Sequence, residues 1–106
     1  MKPNLKILAL ISFAISFATP SFGQDSGGDV FKAKCQVCHG ADGLGGTQIG
    51  KSLGIVSFKD PAVVKLSNSA MAAVIKSGKN KMPSFDGKLT DAQISAVVSH
   101  IRTLQK

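Results

Sequence analysis

The apolar positions of this chain fall into one unbroken run near the start and a series of helical stripes beyond it. The run, Ile7 to Ala18, follows the basic residues Lys2 and Lys6 and is closed by Pro20. Ser21 and Gly23 then supply small residues ahead of a cleavage point before Gln24, which completes the pattern of a secretory leader. The run is shorter than the roughly twenty apolar residues that span a bilayer, and no cysteine at the cleavage point offers a lipid anchor. Residues 1–23 are therefore expected to be a cleaved signal peptide, and residues 24–106 one small domain.

The stripes predict helices. The first runs from about Asp29, with Ser26 as cap and Asp29 as the acidic half of a capping box. Phe31 faces inward on it and Lys32 faces water, while Gly27 and Gly28 permit close approach of another helix. Asp60-Pro61 opens a short helix through Leu66. Met71, Val74 and Ile75 share one face of a helix that begins near Ser69 and stops at Gly78. The clearest helix is the last, with Thr90 as cap, Gln93 closing a capping box and Leu89 packing on Ile94 as a staple. Ile94, Val97, Val98, Ile101 and Leu104 form its apolar stripe. Between the first and second of these helices, Gly40, Gly43, Gly45, Gly46, Gly50 and Gly54 forbid a long helix or strand. They predict a backbone loop wrapped around something flat. No G-x-x-x-x-G-K-[ST] spacing marks it as a phosphate loop.

Charge adds a second layer. The whole chain carries a formal net charge of +7, and loss of the leader with Lys2 and Lys6 leaves +5. Every acidic residue is an aspartate, Trp and Tyr are absent, and Phe31, Phe58 and Phe85 are the only aromatics beyond the leader. A chain this short buries a modest fraction of its surface and needs a staple. The basic balance does not point to nucleic acid, because an export signal removes that partner and no stacking aromatics interleave with the lysines.

The candidate chemistry lies in Cys35-Gln36-Val37-Cys38-His39. A C-x-x-C-H run is the signature of covalent haem attachment. Two thiols three positions apart reach one edge of a flat macrocycle, and the histidine after them lies beneath the iron as proximal ligand. A redox dithiol of the thioredoxin type would need a preceding strand, which the pattern lacks. A zinc site would need another Cys or His nearby, and His100 is far along the chain. The apolar, flat cofactor is itself the missing staple. A carbonyl of the glycine-rich loop is expected to accept the Nδ1–H of His39. For the sixth iron ligand the candidate is Met82, whose soft thioether suits low-spin haem and whose loop is stiffened by Pro83. Met71 sits on a helical stripe and reads as packing. Phe31, Ile49, Leu53, Phe58, Met71, Ile75, Pro83 and Phe85 are the expected lining of the pocket.

The haem motif, Gly27-Gly28-Asp29-Val30-Phe31 before it, Lys81-Met82-Pro83 after a glycine, and the terminal amphipathic helix together resemble the class I cytochromes c. The resemblance covers essentially residues 24–106. Within the class it is similar to short bacterial and photosynthetic carriers and to the small haem domain of cbb-type oxidases. It implies an all-α fold of three to four helices around one covalently bound haem c, exported to the periplasm or to an equivalent such as the thylakoid lumen. It implies a monomeric one-electron carrier rather than an enzyme, with no stable membrane insertion once the leader is gone. Lys76, Lys79, Lys81 and Lys88 gather around the Met82 loop, where they would steer the protein to an acidic redox partner. Two other assignments use the same residues: a haem enzyme or gas-binding protein with an open sixth site, and a haem subunit of a larger oxidase or dehydrogenase. The resemblance also places Gly27 and Phe31 where the first and last helices cross. There the family usually has an aromatic residue, and this chain has His100.

Overall fold

The computed structural model describes residues 26–106; the leader expected over residues 1–23 lies outside them. In chain order the elements are α1 (Gly27–Lys34), α2 (Gln36–His39), α3 (Gln48–Leu53), α4 (Pro61–Val64), α5 (Asn68–Ser77) and α6 (Asp91–Leu104). The described residues form no strand, only two isolated bridges, Lys79 with Met82 and Asp86 with Leu89. Three helices of eight residues or more, α1, α5 and α6, carry the packing, and three short ones shape the loops between them. The expected all-α fold is the one found, with three principal helices and short turns of helix between them.

Every helix but α2 begins where a side chain accepts an orphan amide. Ser26 Oγ accepts from the Asp29 N–H at 3.1 Å and opens α1. Asp60 Oδ1 accepts from Ala62 at 2.9 Å and Pro61 occupies the first turn of α4. Ser67, earlier than expected, accepts from Ala70 at 3.1 Å and starts α5. On α6 the box is complete, with Gln93 N–H on Thr90 Oγ1 at 3.1 Å and Thr90 N–H on Gln93 Oε1 at 2.8 Å. The element absent from the sequence reading is α3. Thr47 caps it and Gly54, in the left-handed region at φ 68°, ends it, so the glycine-rich segment holds a six-residue helix rather than loop throughout.

α6 is the central element. α1 crosses it and α5 packs along it. Phe31 and Val97 are the most deeply buried side chains of the core, which also holds Val30, Met71, Ile75, Phe85, Ile94, Val98 and Ile101. The crossing of α1 on α6 has the predicted composition. Gly27 lies directly against the Ala96 carbonyl, and the rings of Phe31 and His100 sit 5.0 Å apart at 46°. The far end of α6 is clasped by Arg102. Its guanidinium donates to Asn68 Oδ1 at 2.9 Å, to Gln105 Oε1 at 2.9 Å and to the carbonyls of Val64 and Leu66.

Candidate functional site

Helix α1 breaks at Cys35, whose backbone (φ −120°, ψ −32°) leaves the helical path, and α2 restarts for one turn. Cys38 and His39 both donate their amides to the Cys35 carbonyl, at 3.2 and 3.0 Å, so the whole C-x-x-C-H segment is one compact turn. Gly40 ends it at φ 83°, a conformation glycine adopts freely. Thr47 then ties α3 to this turn. Its hydroxyl approaches the Val37 and Cys38 carbonyls at 2.9 and 3.2 Å while accepting from Gly50 at 2.9 Å. No side chain fits at Gly50, because a Cβ there would run into the Cys38 carbonyl.

Cys35 and Cys38 form no disulfide with each other. Cys35 is buried, and burial, with a smaller contribution from Cys38, pushes its thiol up to about 11. Cys38 is half-buried on the same turn. Burial likewise lowers the pKa of His39, favouring the neutral imidazole that a metal requires. The ring of Phe58 stacks on His39 with centroids 4.7 Å apart and planes 22° from parallel. The expected hydrogen bond from Nδ1 to a loop carbonyl is not formed: Nδ1 is buried without a partner.

The second half of the site comes from the loop after α5. Gly78 (φ 79°) and Asn80 (φ 54°) turn the chain, and Lys79 and Met82 pair through N–H···O bonds of 3.1 and 2.9 Å. Asparagine is among the few non-glycine residues that tolerate this region. The loop is pinned to the end of α5 by the Ser84 hydroxyl on the Lys76 carbonyl at 2.7 Å and by the Phe85 and Asp86 amides on Ile75 and Lys76.

These segments enclose a cavity of about 530 Å³. Cys35, His39 and Met82 line it, with Phe31, Ile55, Val56, Phe58, Val63, Leu66, Met71, Val74, Ile75, Val97 and Ile101 among its apolar walls and Asp60, Lys79 and Asn80 among its polar ones. Of the expected lining, Phe31, Phe58, Met71 and Ile75 are there, whereas Ile49, Leu53, Pro83 and Phe85 are not. Ile49 and Leu53 lie on an exposed face of α3, four residues apart and 46% and 37% accessible. Pro83 is exposed on the Met82 loop and Phe85 is buried in the core beside the cavity. Ile55, Val56, Val63 and Leu66 also line it, delivered by the chain between α3 and α5. Cys38 stands outside the lining set. Of the lysines, Lys79 lines the cavity and Lys81 and Lys88 are exposed, but Lys76 turns to Asp91 at 3.1 Å across the α5–α6 groove.

The donor set suits haem. An imidazole, a thioether and a buried thiol converge on one largely apolar cavity, a second thiol lies one turn away, and the volume is in the range of cofactor sites. Among the described residues no group of three or more His, Cys, Asp or Glu could hold a bare metal ion. No helix of these residues is long and apolar enough to cross a membrane.

Comparison with known proteins agrees with this geometry. Residues 23–101 match the family model described as cytochrome C oxidase, cbb3-type, subunit III. The chain is 35% identical over 108 residues to the cytochrome c6 of a Synechococcus species, covering 95% of this chain and 91% of that protein. It is 32% identical over 100 residues to the cytochrome c6 of a Nostoc species, covering 92% and 87%. Among solved structures it resembles the KustC0563 c-type cytochrome at a TM-score of 0.70 and 31% identity, over 77% of this chain and all of that one.

Proposed function

The chain belongs to the class I monohaem c-type cytochromes, and from that premise we propose that residues 24–106 carry single electrons between redox proteins through a haem c held by Cys35, Cys38, His39 and Met82. The observation that carries the reading is the meeting of Cys35, His39 and Met82 in one apolar-walled cavity. When bound, the group supplies a one-electron Fe(III)/Fe(II) couple. The residues do the rest. Cys35 and Cys38 would hold the group covalently through their thiols. His39 and Met82 would supply a nitrogen and a sulfur ligand to its iron, each from a turn whose backbone is tied down at both ends. Phe31, Phe58, Met71, Ile75 and Val97 exclude water, which keeps reorganisation small on either side of the couple.

Lys79, Lys81 and Lys88 would present a basic rim to an acidic partner; Lys76 contributes less, because Asp91 offsets its charge. Removal of residues 1–23 and release as an exported monomer complete the reading. A redox titration of the exported protein, followed by visible absorption and paired with a pyridine haemochrome spectrum, tests it. A reversible one-electron transition of a thioether-linked, six-coordinate low-spin haem supports the carrier. A high-spin iron open to external ligands would assign the protein to enzymatic or gas-binding chemistry instead.

A further inference from the structure

We propose that Asn80 is a positioning residue for Met82: its left-handed backbone, and not its side-chain amide, closes the turn that would hold the thioether on the iron. The inference rests on the reading of Met82 as the sixth ligand. Lys79 and Met82 exchange both of their backbone hydrogen bonds, at 3.1 and 2.9 Å, which leaves Asn80 and Lys81 as the two tip residues of a tight turn. A two-residue turn whose flanks pair in this way favours positive φ at its first tip position. Asn80 supplies it at φ 54°, and among the described residues only glycines share that sign. The left-handed region is disfavoured roughly tenfold for an ordinary side chain and more for a β-branched one, whereas asparagine visits it routinely.

The flanks of the turn have little freedom to absorb a change at its tip. Before it, a Cβ on Gly78 would lie 2.8 Å from both the Met82 carbonyl oxygen and the Ser84 nitrogen, so the incoming chain runs directly against the outgoing one. After it, the Ser84 hydroxyl on the Lys76 carbonyl at 2.7 Å and the Phe85 amide on Ile75 at 3.2 Å fasten the chain to the end of α5. Met82 packs its side chain against the core and lines the cavity, and Asn80 lines the same cavity. With both legs fixed, the backbone of Asn80 decides whether the turn closes with Met82 in that place.

The test titrates the oxidised holoprotein with cyanide, which competes for the sixth position, and follows the far-red absorption of thioether-bound ferric haem in parallel. A tip residue that resists positive φ raises the share of molecules with Met82 off the iron, and cyanide affinity rises in proportion. Asn80→Val is expected to bind cyanide about tenfold more tightly than wild type and Asn80→Ala about fivefold. Asn80→Gly, which adopts the conformation without any amide, is expected to stay within about twofold. Gly87→Val places the same kind of strain, at φ 76°, in a turn outside the cavity lining, and is expected to keep the wild-type affinity. Wild-type affinity in both Asn80→Val and Asn80→Ala would overturn the inference while leaving Met82 as ligand. So would an Asn80→Gly that behaves like Asn80→Val, or an equal rise in Gly87→Val. If Asn80→Val does not retain haem, the contrast between Asn80→Ala and Asn80→Gly decides alone, and equal affinities overturn the inference. A wild-type protein that takes cyanide as readily as Met82→Ala removes the ligand assignment and the inference together.

Discussion

Gly27 on α1 rests so close to the Ala96 carbonyl on α6 that a Cβ on Gly27 would lie well inside van der Waals contact. The obstacle is backbone, which cannot swing aside, so the two helices meet at this distance only because Gly27 has no side chain. Gly28, next to it, faces the softer edge of His100, whose Nδ1 would be 3.4 Å from an added Cβ. Gly27→Ala should therefore cost about 2 kcal/mol or more through forced separation of α1 and α6. Gly28→Ala should stay within about 0.5 kcal/mol, since it gains helix propensity against a mild contact. Denaturant unfolding of the two holoproteins checks the contrast, and equal losses would show that the crossing is looser than the structure has it.

His100 occupies the aromatic position of the same crossing. Its ring packs on Phe31 at 5.0 Å, and no hydrogen bond of the described residues uses it. His100→Tyr should raise stability by about 1 kcal/mol, the worth of a better aromatic pair, with its hydroxyl at the half-exposed rim. A loss of stability in the same measurement would mean that the imidazole itself is the better fit.

Helix starts were legible wherever a capping side chain stood next to an apolar stripe, as at Ser26, Asp60 and Thr90. Cys35, His39 and Met82 could be singled out as residues of one cavity because the patterns that mark them are local to a few residues. What escaped the sequence depends on contacts between distant segments. Thr47 and Gly54 do bracket α3, but six glycines mask so short a helix, and Ile49 and Leu53 then fall on its solvent face. Where the glycine-rich loop folds against the His39 ring depends on contacts between distant segments, which no local pattern states. The role of Arg102 is equally invisible in the pattern, because two of its partners are backbone carbonyls more than thirty residues away.

That clasp yields its own prediction. Arg102→Ala would leave the Val64 and Leu66 carbonyls and the Asn68 side chain to water, since all three are exposed, at a cost of about 1 kcal/mol. Arg102→Lys should recover only part of the loss, because one ammonium cannot reproduce a planar fork with several acceptors. Unfolding midpoints of the two variants decide this; equal midpoints for Lys and wild type would reduce the clasp to a simple positive charge.

The Lys76–Asp91 pair gives a pH signature. The hydrogen bond and charge of Asp91 raise the pKa of Lys76 above the usual lysine value of about 10.5. A cation whose folded pKa is raised contributes stability below its unfolded value and loses that contribution as pH climbs through the folded one. The stability gap between wild type and Lys76→Gln should therefore be present near neutrality, narrow above about pH 10.5 and shrink in high salt, since both partners are exposed. A gap that grows with pH would contradict the pairing.

The carrier assignment turns on which methionine closes the iron. Met82 is half-buried on a loop that Gly78, Asn80 and Ser84 fold against the end of α5, and its side chain lines the cavity. Met71 lines the same cavity, but from within α5 at 5% exposure, as a member of the core. Met82→Ala should leave the thioether links and most helix content intact while the iron turns partly high-spin, binds carbon monoxide or cyanide readily, and falls in potential as the soft donor is lost. Met71→Leu should do none of these, because it roughly conserves volume at a core position and costs less than about 1.5 kcal/mol. Visible spectra with and without added ligand separate the cases. Were Met71→Leu to open the iron and Met82→Ala not, the ligand would be Met71; were neither to do so, sulfur would not be the sixth donor and the carrier reading would give way to an open-site haem protein.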